Sequence, residues 1–204
     1  MEITFGLRYD DIEFKISDKF LSDGNDSGQI HFNELSPMIS FSLKRKKNKN
    51  IYTTISKAFE TPTTTEFANP DGGGFNQSIS PQKSTNYEIG YKTRDNDNYI
   101  ETALFYIDVE DELTPFEDPN QPGRTFYTNA GSSDRHGLEI MNTNKINDWL
   151  KYSISYTYSN FKYDSFKDIN GKVHDGNYAP GIPKHMLNID LSWSNSYGSF
   201  ANFK

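Results

Sequence analysis

Histidines, carboxylates and glycine-rich turns are the residues with the types to do chemistry here, and their spacing withholds it. The histidines His31, His136, His174 and His185 share no paired metal-ligand interval. Asp168-Ile169-Asn170-Gly171 opens like a calcium loop but lacks the later bidentate Glu, so Asp164, Asp168 and Asp175 read as loop solvation. Gly72-Gly73-Gly74 is followed by neither Lys-Ser/Thr nor a helical pattern, which removes a phosphate-cradling turn. No G-x-S-x-G or H-E-x-x-H occurs, and the absence of cysteine removes disulfides and thiolate chemistry. The sequence therefore predicts no catalytic residue, no metal site and no covalently bound cofactor; it does not read as an enzyme.

What holds these residues is a repeated layout of alternating aromatic and polar segments, joined at one end by tight turns and at the other by long polar loops. In the clearest stretch, Leu150, Tyr152, Ile154, Tyr156 and Tyr158 alternate with Lys151, Ser153, Ser155, Thr157 and Ser159. A loop from Asp164 to Ile182 follows, and then Leu187, Ile189, Leu191 and Trp193 alternate with Asn188, Asp190, Ser192 and Ser194. Read for a period of two, the chain gives about nine strands. The first runs from about Ile3 to Phe14, the second from Ser36 to Lys44 and the third from Ile51 to Phe59. The fourth covers Ser84 to Thr93 and the fifth Tyr99 to Leu113. The sixth ends at about Lys145 after an interruption near Gly131-Ser132-Ser133, and the seventh starts after Asn147-Asp148. The eighth carries Leu187 to Trp193, and the ninth is still running at Lys204. Long and short connections alternate strictly, so the expected fold is an all-β antiparallel up-and-down meander with its long loops at one end.

Composition permits either a soluble sheet or a membrane barrel. With 34% hydrophobic residues and a mean hydropathy of -0.79 in 204 residues, the chain is too polar for a helical membrane protein. A barrel strand, however, needs only about 9 to 11 residues, with every second one facing lipid. The aromatic share of 15% suits membrane interfaces, where a ring can be apolar at one end and hydrated at the other, and it also suits soluble strands. A net charge of -7 argues against nucleic acid, because phosphate binding needs clustered Lys and Arg. The cluster Lys44-Arg45-Lys46-Lys47-Asn48-Lys49 reads as a solvated turn. There is no secretory signal pattern, and a chain that begins and ends inside strands reads as a fragment.

At several strand ends the residues resemble the barrel region of TonB-dependent outer-membrane receptors, in particular the ferric-siderophore branch. The resemblance rests on Ser56-Lys57-Ala58-Phe59-Glu60-Thr61-Pro62-Thr63, on Ser80-Pro81-Gln82-Lys83-Ser84 with Tyr87-Glu88-Ile89-Gly90-Tyr91-Lys92, and on Ala103-Leu104-Phe105-Tyr106-Ile107 with Asp111. It continues through Asn129-Ala130-Gly131 with His136-Gly137-Leu138-Glu139, and through Pro180-Gly181-Ile182-Pro183-Lys184-His185. Their order and spacing cover nearly the whole chain. Gln82 departs from the pattern, where the family more often has Glu.

The resemblance implies that residues 1–204 are part of a barrel of about 22 strands in the bacterial outer membrane, filled by a plug domain lying outside this sequence. It implies uptake of a ferric siderophore or similar chelate, energised by TonB through an N-terminal box that is also outside it. Expected partners are outer-membrane lipid, plug, TonB and the ferric chelate, which is cargo rather than cofactor. His31, Phe75, His174 and Tyr178, placed in outer loops, are the candidate ligand contacts. Glu88 and Glu139 are expected to face the lumen, and Gly90 and Gly137 to leave room there for a neighbouring plug or strand. Asp108, Glu110, Asp111 and Glu112 read as a hydrated outer rim. A soluble β-sandwich, a surface carbohydrate-binding module and a passive porin remain as alternatives. The sandwich is distinguished by burial of Tyr152, Tyr156, Tyr158, Leu187, Ile189 and Leu191 against a second sheet.

Overall fold

The computed structural model describes residues 1–19, 21–22, 25, 27–46, 48–70, 75–129, 131–168 and 171–203. Within the segments singled out above, Lys47, Gly72, Gly73, Gly74, Ala130, Ile169, Asn170 and Lys204 lie outside the described residues. Among the described residues eleven strands form: β1 (Glu2–Ile16), β2 (Gly28–Lys46), β3 (Lys49–Glu60), β4 (Gln82–Arg94), β5 (Asn98–Glu110), β6 (Leu113–Glu117), β7 (Thr125–Asn129), β8 (Gly131–Asn147), β9 (Leu150–Phe166), β10 (His185–Ser194) and β11 (Phe200–Phe203). Nine of them make one antiparallel sheet in the order β1-β2-β3-β4-β5-β8-β9-β10-β11, while β6 and β7 pair as a separate hairpin. The sheet is open, with β1 and β11 at its edges.

The expected meander and its alternation of connections hold, and two boundaries move. The second strand begins at Gly28 rather than Ser36, because β1 pairs with β2 in an unbroken register from Glu2↔Ser42 to Ile16↔Gly28. The stretch preceding the interruption at Gly131 is the separate strand β7, and its partner β6 takes Leu113 from the expected fifth strand.

Register assigns every side chain to a face, since cross-strand partners point the same way and neighbours along a strand point oppositely. One row reads Ile3, Phe41, Thr53, Ile89, Leu104, Leu138, Tyr158, His185. The row beside it, on the other face, reads Thr4, Ser40, Thr54, Glu88, Phe105, Gly137, Ser159. The first face is apolar and uncovered: Phe5, Leu7, Leu187 and Ile189 are 75%, 71%, 60% and 52% exposed. Soluble monomers rarely leave so continuous an apolar surface open. No second sheet packs on it among the described residues, so the sandwich alternative fails its own test.

The apolar pattern then changes face toward the long loops without a bulge to cause it. In β1, Ile3, Phe5, Leu7 and Tyr9 are on the apolar face, whereas Ile12, Phe14 and Ile16 are on the polar one. In β5, Leu104 and Tyr106 give way to Asp108 and Glu110, while Ala103, Phe105, Ile107 and Val109 occupy the opposite face. Strands of this length outrun a bilayer: β2 has 19 residues. That is roughly 60 Å at about 3.3 Å per residue, where a crossing takes about 9 to 11 residues. The excess lies at the loop end, and there the polar face is covered.

Candidate functional site

What covers it is an assembly of two long connections folded onto the polar face. From residues 61–81 come Phe67 and Ile79, both buried, and Phe75; they pack on Phe14, Ile30 and Phe32 of β1 and β2. Phe67 stacks on Phe75 with ring centroids 4.4 Å apart and contacts Phe14 at 5.2 Å. Gly28 permits this approach, since a Cβ there would lie 2.5 Å from Phe75 Cβ. The β6–β7 hairpin joins the cluster through Leu113 and Tyr127 and buries Phe126 completely.

Asn129 fastens the two connections together. Its Oδ1 accepts from the Ser80 amide at 2.8 Å, and its Nδ2 donates to the carbonyls of Ser80 at 2.9 Å and Asp111 at 2.7 Å. Gln121 Nε2 donates to the Pro70 carbonyl at 2.8 Å. Gln82, the departure from the family pattern, accepts from the Leu113 amide through Oε1 at 3.2 Å and donates to Glu60 through Nε2 at 3.4 Å. A glutamate could serve the first contact when ionised but not the second, because a carboxylate has no donor.

Beside the hairpin, Arg135 Nη2 pairs with Glu112 Oε1 at 2.8 Å, and both side chains are largely buried. Glu112 is therefore not part of a hydrated rim, as its neighbours in the acidic run had suggested. The carboxylate is mostly shielded from solvent, and its Oε2 has no hydrogen-bond partner among the described residues. The Arg135 guanidinium also sits 5.8 Å over the Phe161 ring, which meets Phe105 edge-on at 6.2 Å.

Farther from the loops the polar face is charged. Lys92 pairs with Glu101 at 2.5 Å and lies 5.0 Å over the Tyr52 ring. Register places Glu88 and Glu139 on this face with Gly90 and Gly137. The space at each glycine is filled from within the sheet: Tyr52 lies across Gly90, and Phe105 across Gly137. Of the plug or strand expected to use this room, it is the adjacent strand that does so, through its ring. A cavity of about 710 Å³ opens where β2 and β3 stop pairing at Met38↔Ser56, with Arg8, Ile12, Ser36, Met38, Ala58 and Glu60 in its lining.

The candidate ligand contacts fall in separate places. His31 is not in a loop: it lies in β2, its ring nitrogen bonded to Asp11, on the continuation of the apolar face. Phe75 belongs to the core of its own connection. His174 bonds Asp168 at 3.0 Å and stacks on Phe166 at 5.0 Å, so its ring is held by its loop. Tyr178 pairs with Lys162 across a short bridge, and Lys184 and Lys162 lie 3.8 and 4.9 Å over its ring. The Lys184 ammonium, aided by Lys162, pulls the Tyr178 hydroxyl below the ordinary tyrosine range. The residues missed by inspection are Phe67, Phe126, Asn129 and the Glu112–Arg135 pair. The change of apolar parity at Ile12 and Phe14 was the available signal for a covered polar face, although it does not say what covers it.

Among the described residues this arrangement offers aromatic surface, carboxylates and cations. Residues 2–203 match the model of the TonB dependent receptor-like β-barrel family. The chain belongs to that family. The chain is 26% identical over 206 residues to a protein of Acinetobacter baumannii named "Probable TonB-dependent siderophore receptor PiuA", a match covering 92% of this chain and 26% of that one. It is 27% identical over 125 residues to the ferrioxamine receptor of Yersinia enterocolitica, covering 59% of this chain and 16% of the other. Among solved structures, the copper transporter OprC superposes with a TM-score of 0.74 at 16% identity, over 94% of this chain and 30% of its own. The ferric yersiniabactin uptake receptor FyuA of Yersinia pestis gives 0.67 at 19% identity, over 96% and 29%. The chain thus spans about a quarter of the length of PiuA, and the solved structures share its fold.

Proposed function

We propose that these strands form part of the wall of an outer-membrane receptor that takes up a ferric siderophore or similar iron chelate, driven by TonB and gated by a plug outside this sequence. The observation that carries this reading is the pairing of an uncovered apolar face with a polar face whose loop end is capped by folded-in connections. Lipid would satisfy the first, and a wet lumen the second. The names of the siderophore-receptor relatives support the choice of cargo. The capping assembly and the loop 167–184 are the segments that would meet a chelate arriving from outside, with His174 the predicted contact held in a fixed orientation.

The test uses the full-length receptor. Replacing residues 69–75 with a short flexible linker, and separately deleting 167–182, is expected to weaken ferric-chelate binding by about tenfold or more in at least one case. Binding unchanged by both alterations would remove these connections from the ligand site.

A further inference from the structure

Lys162 and Lys184 converge on one tyrosine, and neither has a carboxylate partner among the described residues. Two ammonium groups held around one ring repel each other, and an anion between them would relieve that repulsion. Asp134 is opposite Lys162 across the ladder, yet its Oδ1 accepts the Tyr106 hydroxyl at 2.5 Å and makes no ion pair with the lysine. The face decides which anion can arrive. The register from Leu138↔Tyr158 to Asp134↔Lys162 is unbroken, so Lys162 and Tyr178 stand on the continuation of the apolar face, not over the lumen.

Just below them are Tyr156, Tyr158 and His185, with the Tyr156 hydroxyl 2.9 Å from His185 Nδ1, and below those begins the apolar row of Leu187, Ile189 and Leu191. Half-polar rings of this kind mark the interface of a membrane. Lys184 adjoins His185 at the level of those rings, and Lys162, four residues beyond Tyr158, is roughly 13 Å farther along a tilted strand at about 3.3 Å per residue, within reach of the headgroups for so long a side chain. Long basic side chains at that level reach for phosphate.

We propose that Lys162, Lys184 and the Tyr178 ring form an outward-facing site for the phosphate of an outer-leaflet lipid headgroup. The inference rests on the membrane orientation given under Proposed function, but not on the identity of the cargo. It removes Tyr178 from the candidate chelate contacts and makes it a contact to the bilayer.

The test is native mass spectrometry of the full-length receptor purified in mild detergent, with phosphorylated outer-leaflet lipid added back. The Lys162→Gln/Lys184→Gln double variant is expected to retain about tenfold less lipid than wild type. The Lys151→Gln variant, on the opposite face, should match wild type, and ferric-chelate binding by the double variant should be unchanged. Equal retention by the double variant overturns the proposal, as does equal retention of lipid stripped of its phosphates. Inorganic phosphate alone competing as well as the lipid does would overturn the lipid source. Loss of chelate binding with lipid retention intact would assign the lysines to the cargo instead. A receptor that binds no iron chelate while still showing lysine-dependent lipid retention would sink the cargo reading and leave this one standing.

Discussion

Gly137 shows how much a single side chain can decide. A Cβ there would lie 2.1 Å from the Tyr158 carbonyl oxygen and 2.6 Å from the Phe105 ring, and the backbone oxygen cannot move without opening the β8–β9 ladder. Gly137→Ala is expected to destabilise the sheet by about 1–3 kcal/mol, read as a lower temperature for loss of the folded band on a heat-modifiability gel. Tyr178 provides the pH prediction. Its hydroxyl is held below the usual value of about 10 by Lys184 and then Lys162. A depressed acid contributes stability that is fully present above its unfolded pKa and is lost as pH falls through the folded value. Phenolate absorbance should therefore appear at lower pH for Tyr178 than for a free tyrosine, and Lys184→Ala should move it back up. An unchanged titration in that variant would show that the lysine is not the cause.

At the scale of elements, the connections behave as parts of the wall's interior rather than as free loops. Asn129 joins the hairpin to residue 80 and residue 111 through three hydrogen bonds. Asn129→Ala should weaken that docking by about 1 kcal/mol for each bond lost, since the freed groups can be hydrated. Amide hydrogen exchange is expected to speed up in β6, β7 and residues 75–80 while β3, β4 and β9 keep their protection. Uniform loss of protection across the sheet would mean that the asparagine supports the whole wall. The change of apolar parity in β1 and β5 has the same origin: where the strands pass the bilayer, apolar side chains turn toward the covering loops, and Asp108 and Glu110 take the outside.

For the whole molecule, the two faces have opposite tolerances. Ile89 is 53% exposed on the apolar face, between Tyr87 and Tyr91. Ile89→Arg should cost about 2–4 kcal/mol if that position lies near the middle of the bilayer, and so reduce the amount of receptor recovered in outer membranes. Glu139→Gln, on the polar face, should be recovered like wild type. Equal recovery of both variants would remove lipid from the apolar face and reopen the question of what covers it.

Alternation along Leu150–Tyr158 and Leu187–Trp193, with long connections answering short ones, is written into the chain. It determined the nine strands of the main sheet, their order and the alternation of faces along them, though not the β6–β7 hairpin, because side-chain period and turn chemistry are local properties of the backbone. The tertiary structure decided what no local pattern holds. It drew His31 into a strand, closed Phe75 into a core, filled the spaces at Gly90 and Gly137 with rings, and buried Glu112 against Arg135. Each of these depends on partners distant in sequence, as Asn129 and Ser80 are at 49 residues apart. A period of two tells a residue which face it takes, but only the folded loops determine what it meets there.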